Sequence, residues 1–280
     1  MDEGVVGAVA GLWRYPVKSM LGEEVESVQV VWSGFYGNRS YALVDVESSK
    51  LVSAKNPMKW SRMFECSSQI LSEDEAGKAA PQVRVVLPNG MGFDIGNGSY
   101  GQAENELSKL FGRHVKFTAA RVEPRSTTIE QYHPEIEEDA EAGTTTEYVR
   151  PMTAQAGTFT DVAAMHIVTT ATLRELATLY PAGDFNPLRF RPNLLVDSGD
   201  ARGFVEAEWV GKTLGVGGEV RLKVLKECGR CVMTTLPQRE LAADTGILRT
   251  VMRFNRGKVG VLASVLKGGR VSRKDSVEVL

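Results

Sequence analysis

The sequence predicts a mixed α/β fold that is predominantly β, with a barrel in its second half. Three observations carry that expectation. Beyond residue 205, short apolar runs are separated by Gly211, Gly215, Gly217, Gly218 and the pair Gly268-Gly269, and tight turns between short strands suit a barrel better than a doubly wound sheet. Asn89-Gly90 lies between two strand-like runs, a hairpin signal because both residues tolerate left-handed dihedrals. No GxGxxG or GxxxxGK run joins a strand to a helix, so a nucleotide fold lacks its main support.

Composition sets the outer limits. With 280 residues, 42% hydrophobic and 24% charged, the chain can bury a substantial core as one large domain or two modest ones. A formal net charge of -2 advertises no broad basic face, and no nucleic-acid partner is expected. The opening residues lack a basic, apolar leader, and no run reaches the roughly 18 apolar residues of a membrane span. The expectation is therefore a cytoplasmic protein without a membrane partner. Three cysteines and three histidines make a disulfide framework improbable and free thiols the simpler assumption.

The amino-terminal half starts with a strand over 5–9. Pro16 removes a backbone donor and biases Tyr15 away from helix, so 12–19 reads as an extended turn ending at Lys18-Ser19. Val28, Val30 and Trp32 alternate as in a half-buried strand, Gly34 and Gly37 mark a turn, and Arg39 precedes a strand over 41–46. Composition alone makes Lys18 and Arg39 solvated surface cations; their place beside turns is what suggests binding. Residues 57–64 read as a short helix with Trp60, Met63 and Phe64 inward, followed by Cys66 as a small buried apolar residue. The hairpin pairs 83–87 with 91–95, Leu107, Leu110 and Phe111 line a helix stopped at Gly112, and 115–117 returns to a sheet.

From Glu123 to Thr146 the chain is polar, with Glu135, Glu137, Glu138, Asp139 and Glu141 crowded together. Their repulsion and the weak apolar content favour a solvated loop, and the spacing is not that of an EF-hand. The expected organisation is an amino-terminal domain over 1–122, a linker over 123–147 and a carboxy-terminal domain over 148–280. A strand over 165–168 encloses His166, read as a packed or surface strand histidine rather than a ligand. Thr172 and Glu175 form a capping-box pattern for a helix presenting Leu173, Leu176 and Leu179 before Pro181. Further strands are expected over 194–196, at Val205, Ala207 and Trp209, over 220–225, and in the tail around Val259, Val261, Ala263, Val277 and Val279.

Chemistry concentrates at Cys228-Gly229-Arg230-Cys231 and at Arg189-Phe190-Arg191-Pro192-Asn193. Three mechanisms compete for the cysteines. A thioredoxin-type pair should open a helix, yet Thr234-Thr235-Leu236-Pro237 is β-branched and then broken. Zinc would need two more soft ligands, and Cys66, His114, His133 and His166 stand at no suitable spacing. The third mechanism makes one cysteine the ligand of a metal carried by an anionic cofactor. Arg189, Arg191 and Arg230 would then clamp phosphate or carboxylate groups and Asn193 would offer an amide, although structural salt bridges explain each arginine taken singly.

Arg189-Phe190-Arg191-Pro192-Asn193, then Arg230-Cys231-x-x-Thr234-Thr235, then Asp244-Thr245-Gly246 resembles the MOSC family, which includes molybdenum cofactor sulfurase carboxy-terminal regions and amidoxime-reducing proteins. Tyr15-Pro16-Val17-Lys18-Ser19 and Asn38-Arg39-Ser40-Tyr41 resemble the amino-terminal barrel domain that accompanies it, so the match spans both halves. The resemblance implies a mostly antiparallel barrel and a mixed amino-terminal domain enclosing molybdopterin with its molybdenum. It implies Cys231 as thiolate ligand and catalytic residue, with Lys18, Ser19, Arg39, Arg189, Arg191, Asn193 and Arg230 holding the cofactor. Thr169 or Thr170 is a further candidate for a cofactor hydrogen bond; Cys228 has no role by analogy.

The activity implied is reduction of a small N-hydroxylated substrate by oxygen-atom removal, the alternatives being a cofactor carrier, a sulfur-transfer adaptor or a sensor of another phosphate-bearing ligand. Pyridoxal phosphate is not expected. Neither the membrane anchor nor the ferredoxin domain of some relatives accompanies the motifs, so an external donor is expected: a ferredoxin, a flavodoxin or a cytochrome-type protein with its reductase. Residues 237–243 are longer than the family's compact turn and lie at the expected rim.

Overall fold

Seven strands close into a barrel that combines the carboxy-terminal half with the first strand of the chain. Around it stand Val5–Arg14, Leu194–Asp197, Met165–Thr169, Lys258–Lys267, Val220–Gly229, Thr213–Val216 and Ser276–Val279, which pairs back with Val5–Arg14. This is a computed structural model, and it describes residues 4–72, 80–96, 98–121, 125–132, 147–154 and 156–280. The pairings in the ring are antiparallel except that of Met165–Thr169 with Leu194–Asp197, where Ile167 stands opposite Leu194 in parallel register. A parallel pair needs a crossover, supplied here by the helix Thr170–Leu179 and the 3-10 turn Pro187–Phe190. The fold is thus mixed α/β and predominantly β, as the turn spacing predicts.

Period-2 alternation fills the barrel. Leu12, Ile167, Leu194, Val196, Leu214, Leu222, Val224, Val261 and Val277 join one buried cluster, each such side chain contributing on the order of 1.5–3 kcal/mol when fully buried. The amino-terminal half has its own core, in which Met20, Leu43, Trp60, Met63, Phe64, Cys66, Val83, Leu107 and Val115 meet. Its Asn-Gly hairpin pairs Gln82–Val86 with Gly92–Ile95, and its helix Gly101–Phe111 ends at Gly112 with φ +62. A third cluster, with Tyr15, Val168, Leu176, Phe190, Ile247 and Val251, seats two helices on the outside of the barrel.

Several elements depart from expectation. Residues Val205–Trp209 form a 3-10 helix rather than a strand, because Glu206 and Trp209 are the buried pair and a three-residue repeat puts them on one face. The cap of the Thr170–Leu179 helix lies three residues ahead of the expected capping box: the Thr169 hydroxyl accepts from the Thr172 amide at 3.2 Å. The first strand runs on through Trp13 and Arg14, and Trp32 falls outside its expected strand, which ends at Val31, and is exposed. Helix Thr245–Asn255, capped by Asp244, has no counterpart in the expectation. Within the expected linker, Arg125–Tyr132 is a strand paired with Glu147–Ala154; the crowded carboxylates and His133 lie outside the described residues.

Candidate functional site

The extended stretch after Tyr15 brings the amino-terminal cations to the barrel. Arg39 N donates to Tyr15 O at 2.7 Å, Tyr41 N to Pro16 O at 3.0 Å and Lys18 N to Tyr41 O at 2.8 Å. Phe159 N then donates to Arg39 O at 2.8 Å, which lays 158–161 along the same ladder. Ser19, Arg39 and Arg191 all hold left-handed backbones, with φ of 66, 53 and 52. Such a conformation costs a non-glycine residue of order 1–3 kcal/mol and collects at functional sites.

The side chains follow. Lys18 is buried and Arg39 half-buried, so neither is the solvated surface cation that composition suggests. Lys18 Nζ donates to Phe159 O at 3.0 Å and to Asp161 Oδ1 at 2.5 Å, while Lys55 Nζ meets Asp161 Oδ2 at 2.8 Å. Burial lowers the Lys18 pKa, with Asp161 opposing it; burial would raise Asp161, but Lys18 and Lys55 hold it well below the usual carboxylate range. Arg191 stacks on Tyr15 with its guanidinium carbon 4.2 Å from the ring centre, and Arg39 lies 5.1 Å from the same ring. Burial and then the charge of Arg39 pull Arg191 down to about 9, and burial pushes the Tyr15 phenol up to about 12.

Buried donors without protein partners lie on these segments. They include both Nη atoms of Arg191, Nε of Arg230, Nδ2 of Asn38 and the hydroxyls of Tyr15 and Thr160. Buried polar groups are normally satisfied, so an orphaned set beside Lys18, Lys55, Arg39, Arg191 and Arg230 is chemically suited to an anionic, acceptor-rich ligand.

The barrel supplies the opposite wall. Val220–Gly229 breaks register between Val224 and Lys226 and again between Glu227 and Gly229, and such bulges redirect a strand exit. Cys231 follows, half-buried, as the residue before the 3-10 turn Val232–Thr235. Met233 and Leu236 pack on the amino-terminal core, which sets this turn at the junction of the two halves. Arg230 Nη1 donates to Cys228 Sγ at 3.0 Å and Nη2 to Phe190 O at 2.8 Å.

Two family models match this chain: the MOSC domain over residues 154–278 and the MOSC N-terminal beta barrel domain over 6–82. The chain belongs to the MOSC family. This MOSC chain is 27% identical over 263 residues to mitochondrial amidoxime reducing component 2 of Homo sapiens, covering 87% of this chain and 69% of that protein. The protein of the same name from Macaca fascicularis is 26% identical over 260 residues, with the same coverage. Among solved structures, the YUAD protein from Bacillus subtilis covers 98% of this chain and 94% of its own, at 12% identity and a TM-score of 0.47.

Other residues of the motifs serve this MOSC chain differently. Arg189 is buried with its guanidinium on Asp184 O at 2.8 Å, Ala242 O at 2.8 Å and Thr234 O at 3.4 Å, tying down the turn that carries Cys231. Asn193 stitches strands: its Oδ1 accepts from His166 N at 3.1 Å and its Nδ2 donates to Trp13 O at 3.2 Å. Ser19 Oγ accepts from Ala54 N at 3.1 Å and keeps its own proton to donate. Thr169 and Thr170 lie at the far end of the parallel pair from Asn193. There Thr169 donates to Glu206 Oε2 at 2.7 Å, and Thr170 bonds with Asp197 and Ser198. Asp161, Lys55, Tyr15 and the contact of His166 with Cys228 were not assigned from sequence; each depends on partners distant along the chain.

Among the described residues, no three of His, Cys, Asp and Glu come together as a metal cage. A metal at Cys231 would have to bring further ligands with it. The cation surplus, the orphaned donors and the single half-exposed thiol fit a metal carried on an anionic organic cofactor.

Proposed function

We propose that this chain is a molybdenum cofactor-dependent reductase of N-hydroxylated compounds: amidoximes, hydroxylamines and N-hydroxylated bases. The observation carrying the reading is Arg191, buried with both Nη groups free of protein partners and close enough to Arg39 and Arg230 to feel their charges. The amidoxime-reducing relatives support the choice of reaction.

In this reading Cys231 provides the thiolate ligand. Arg191 and Arg230 donate from their unpartnered nitrogens, Ser19 donates its hydroxyl, and Lys18, Lys55 and Arg39 oppose the cofactor's phosphate charge. Arg189 and Asn193 hold the surrounding backbone in place rather than the cofactor itself. When bound, the cofactor supplies a two-electron couple that cleaves the N–O bond, so that substrate, two electrons and two protons give the deoxygenated nitrogen compound and water. The electrons come from a separate ferredoxin, flavodoxin or cytochrome-type donor with its reductase.

Cys231→Ala tests the reading after expression with cofactor synthesis. The expected variant loses most of its bound molybdenum and its turnover of benzamidoxime with an artificial reductant. Unchanged molybdenum and turnover would sink the assignment. Molybdenum held by the native protein without turnover would instead make it a carrier.

A further inference from the structure

Cys228 is the member of the Cys228-Gly229-Arg230-Cys231 run that the proposed reaction leaves without work. It is buried, and its sulfur takes a hydrogen bond from Arg230 Nη1 at 3.0 Å, short for nitrogen to sulfur and in keeping with a charged pair. The other terminal nitrogen of Arg230 is fixed on Phe190 O at 2.8 Å, and the guanidinium carbon lies 5.8 Å from the Phe190 ring centre. With both ends of the fork held, the donor that remains buried and without a protein partner is Nε. Arg230 lies close enough to Arg39 and Arg191 for their charges to act on one another.

His166 lies near the sulfur, and its ring donates from Nε2 to Val259 O at 2.9 Å. Gly260 is what permits this packing: its φ is +74, and a Cβ there would come within 2.3 Å of Ile167 O and 2.7 Å of His166 Nε2. Burial would raise the Cys228 thiol pKa, but His166 and Arg230 outweigh it and bring it down to about 6.

We infer that Cys228 is a positioning residue, whose sulfur, taking the hydrogen bond of Arg230 Nη1, holds the Arg230 guanidinium so that Nε–H is presented to an anionic ligand. The inference rests on the site binding an anion, as the proposed function requires. It makes the two cysteines unlike: Cys231 is offered to the ligand directly, and Cys228 acts only through Arg230.

The test is a double-mutant cycle on the cofactor-free protein, with inorganic phosphate titrated by calorimetry into native protein, Cys228→Ala, Cys228→Ser, Arg230→Ala and the Cys228→Ala/Arg230→Ala double variant. Losing a charge-assisted hydrogen bond should weaken phosphate binding by Arg230→Ala about tenfold or more. Cys228→Ala should weaken it nearly as much, the double variant no further than Arg230→Ala alone, and Cys228→Ser, which keeps an acceptor, should recover most of the loss. A merely structural cysteine would give independent losses that multiply in the double variant, or none in Cys228→Ala; either result overturns the inference and leaves the cofactor reading standing. Thermal melts check folding, and Cys228→Ser carries the comparison if the alanine variant unfolds. Failure of native protein to bind phosphate at all would overturn both readings together.

Discussion

The two ends of the strand Met165–Thr169 carry buried polar chemistry of opposite kinds. At the far end, Glu206 Oε2 takes the hydroxyls of Thr169 and Thr172 at 2.7 and 2.6 Å, so one oxygen of the carboxyl is matched by neighbours from its own fold and Oε1 is not. Near the other end, past Asn193 and His166, stand Arg191, whose two Nη atoms find no protein acceptor, and Arg230, whose Nε finds none. Both ends are buried and both are polar, so burial alone does not mark the site. The mark is a surplus of one kind of hydrogen-bonding group, cationic donors, left over after the fold has satisfied itself. Arg189 and Arg191 show the distinction within one motif: two residues apart, the first is occupied by three carbonyls and the second by none.

The largest effect should come from breaking that pair apart. Arg189→Met leaves Asp184 O, Thr234 O and Ala242 O without their donor and should lower the stability of the cofactor-free protein by about 3–5 kcal/mol. Arg191→Met removes a buried charge whose terminal nitrogens make no hydrogen bond and keeps an apolar side chain against the Tyr15 ring, so stability should stay within about 1 kcal/mol of native. Guanidinium unfolding of both variants checks the contrast. Equal losses would mean that Arg191 is as structural as Arg189 and that the donor surplus is no guide to a ligand.

That contrast also shows what was readable from sequence. Strands, the Asn-Gly hairpin and the helix stop at Gly112 are written in local period and turn chemistry, so they could be read directly. The 3-10 turn at Val205–Trp209 could not, because one buried carboxylate, Glu206, sets its face and its hydroxyl partners are 37 and 34 residues away. The motif resemblance named Lys18, Arg39, Arg191 and Arg230 together from distant segments. It could not separate Arg189 and Asn193 from them, since whether an arginine's donors are already taken is a property of the folded backbone. Asp161 was hidden for the same reason, as its bond to Lys18 spans 143 residues.

Asp161 supplies the next test at the near end. Asp161→Asn leaves the Lys18 and Lys55 ammonium groups facing a neutral amide, and the expected loss is about 2–3 kcal/mol at pH 7, below that of a fully buried pair because Asp161 is partly exposed. The carboxyl's folded pKa is depressed, so its contribution is present above the unfolded value of about 3.9 and is lost as pH falls through the lower folded value. Urea midpoints of native and variant protein should therefore converge as the pH is taken below about 4. A gap that persists undiminished there would show the loss to be packing and not charge.

The smallest effect belongs to the far end, and its sign is what sharpens the comparison. Burial raises the Glu206 pKa, with the Thr172 and Thr169 hydroxyls opposing the shift. Native protein then binds a proton that the unfolded chain releases above about 4.3, so this residue makes native stability fall as pH rises toward the folded pKa. Glu206→Gln keeps an acceptor for both hydroxyls and has no proton to lose. At pH 5 the variant should be slightly weaker than native, because the new amide nitrogen takes the place of Oε1, which has no partner. By pH 8 it should be the more stable of the two by about 1 kcal/mol. Denaturant midpoints at the two pH values decide it. A difference that did not change with pH would mean that Glu206 is ionised in the fold, and that the far end, like the near one, holds a charge its surroundings do not neutralise.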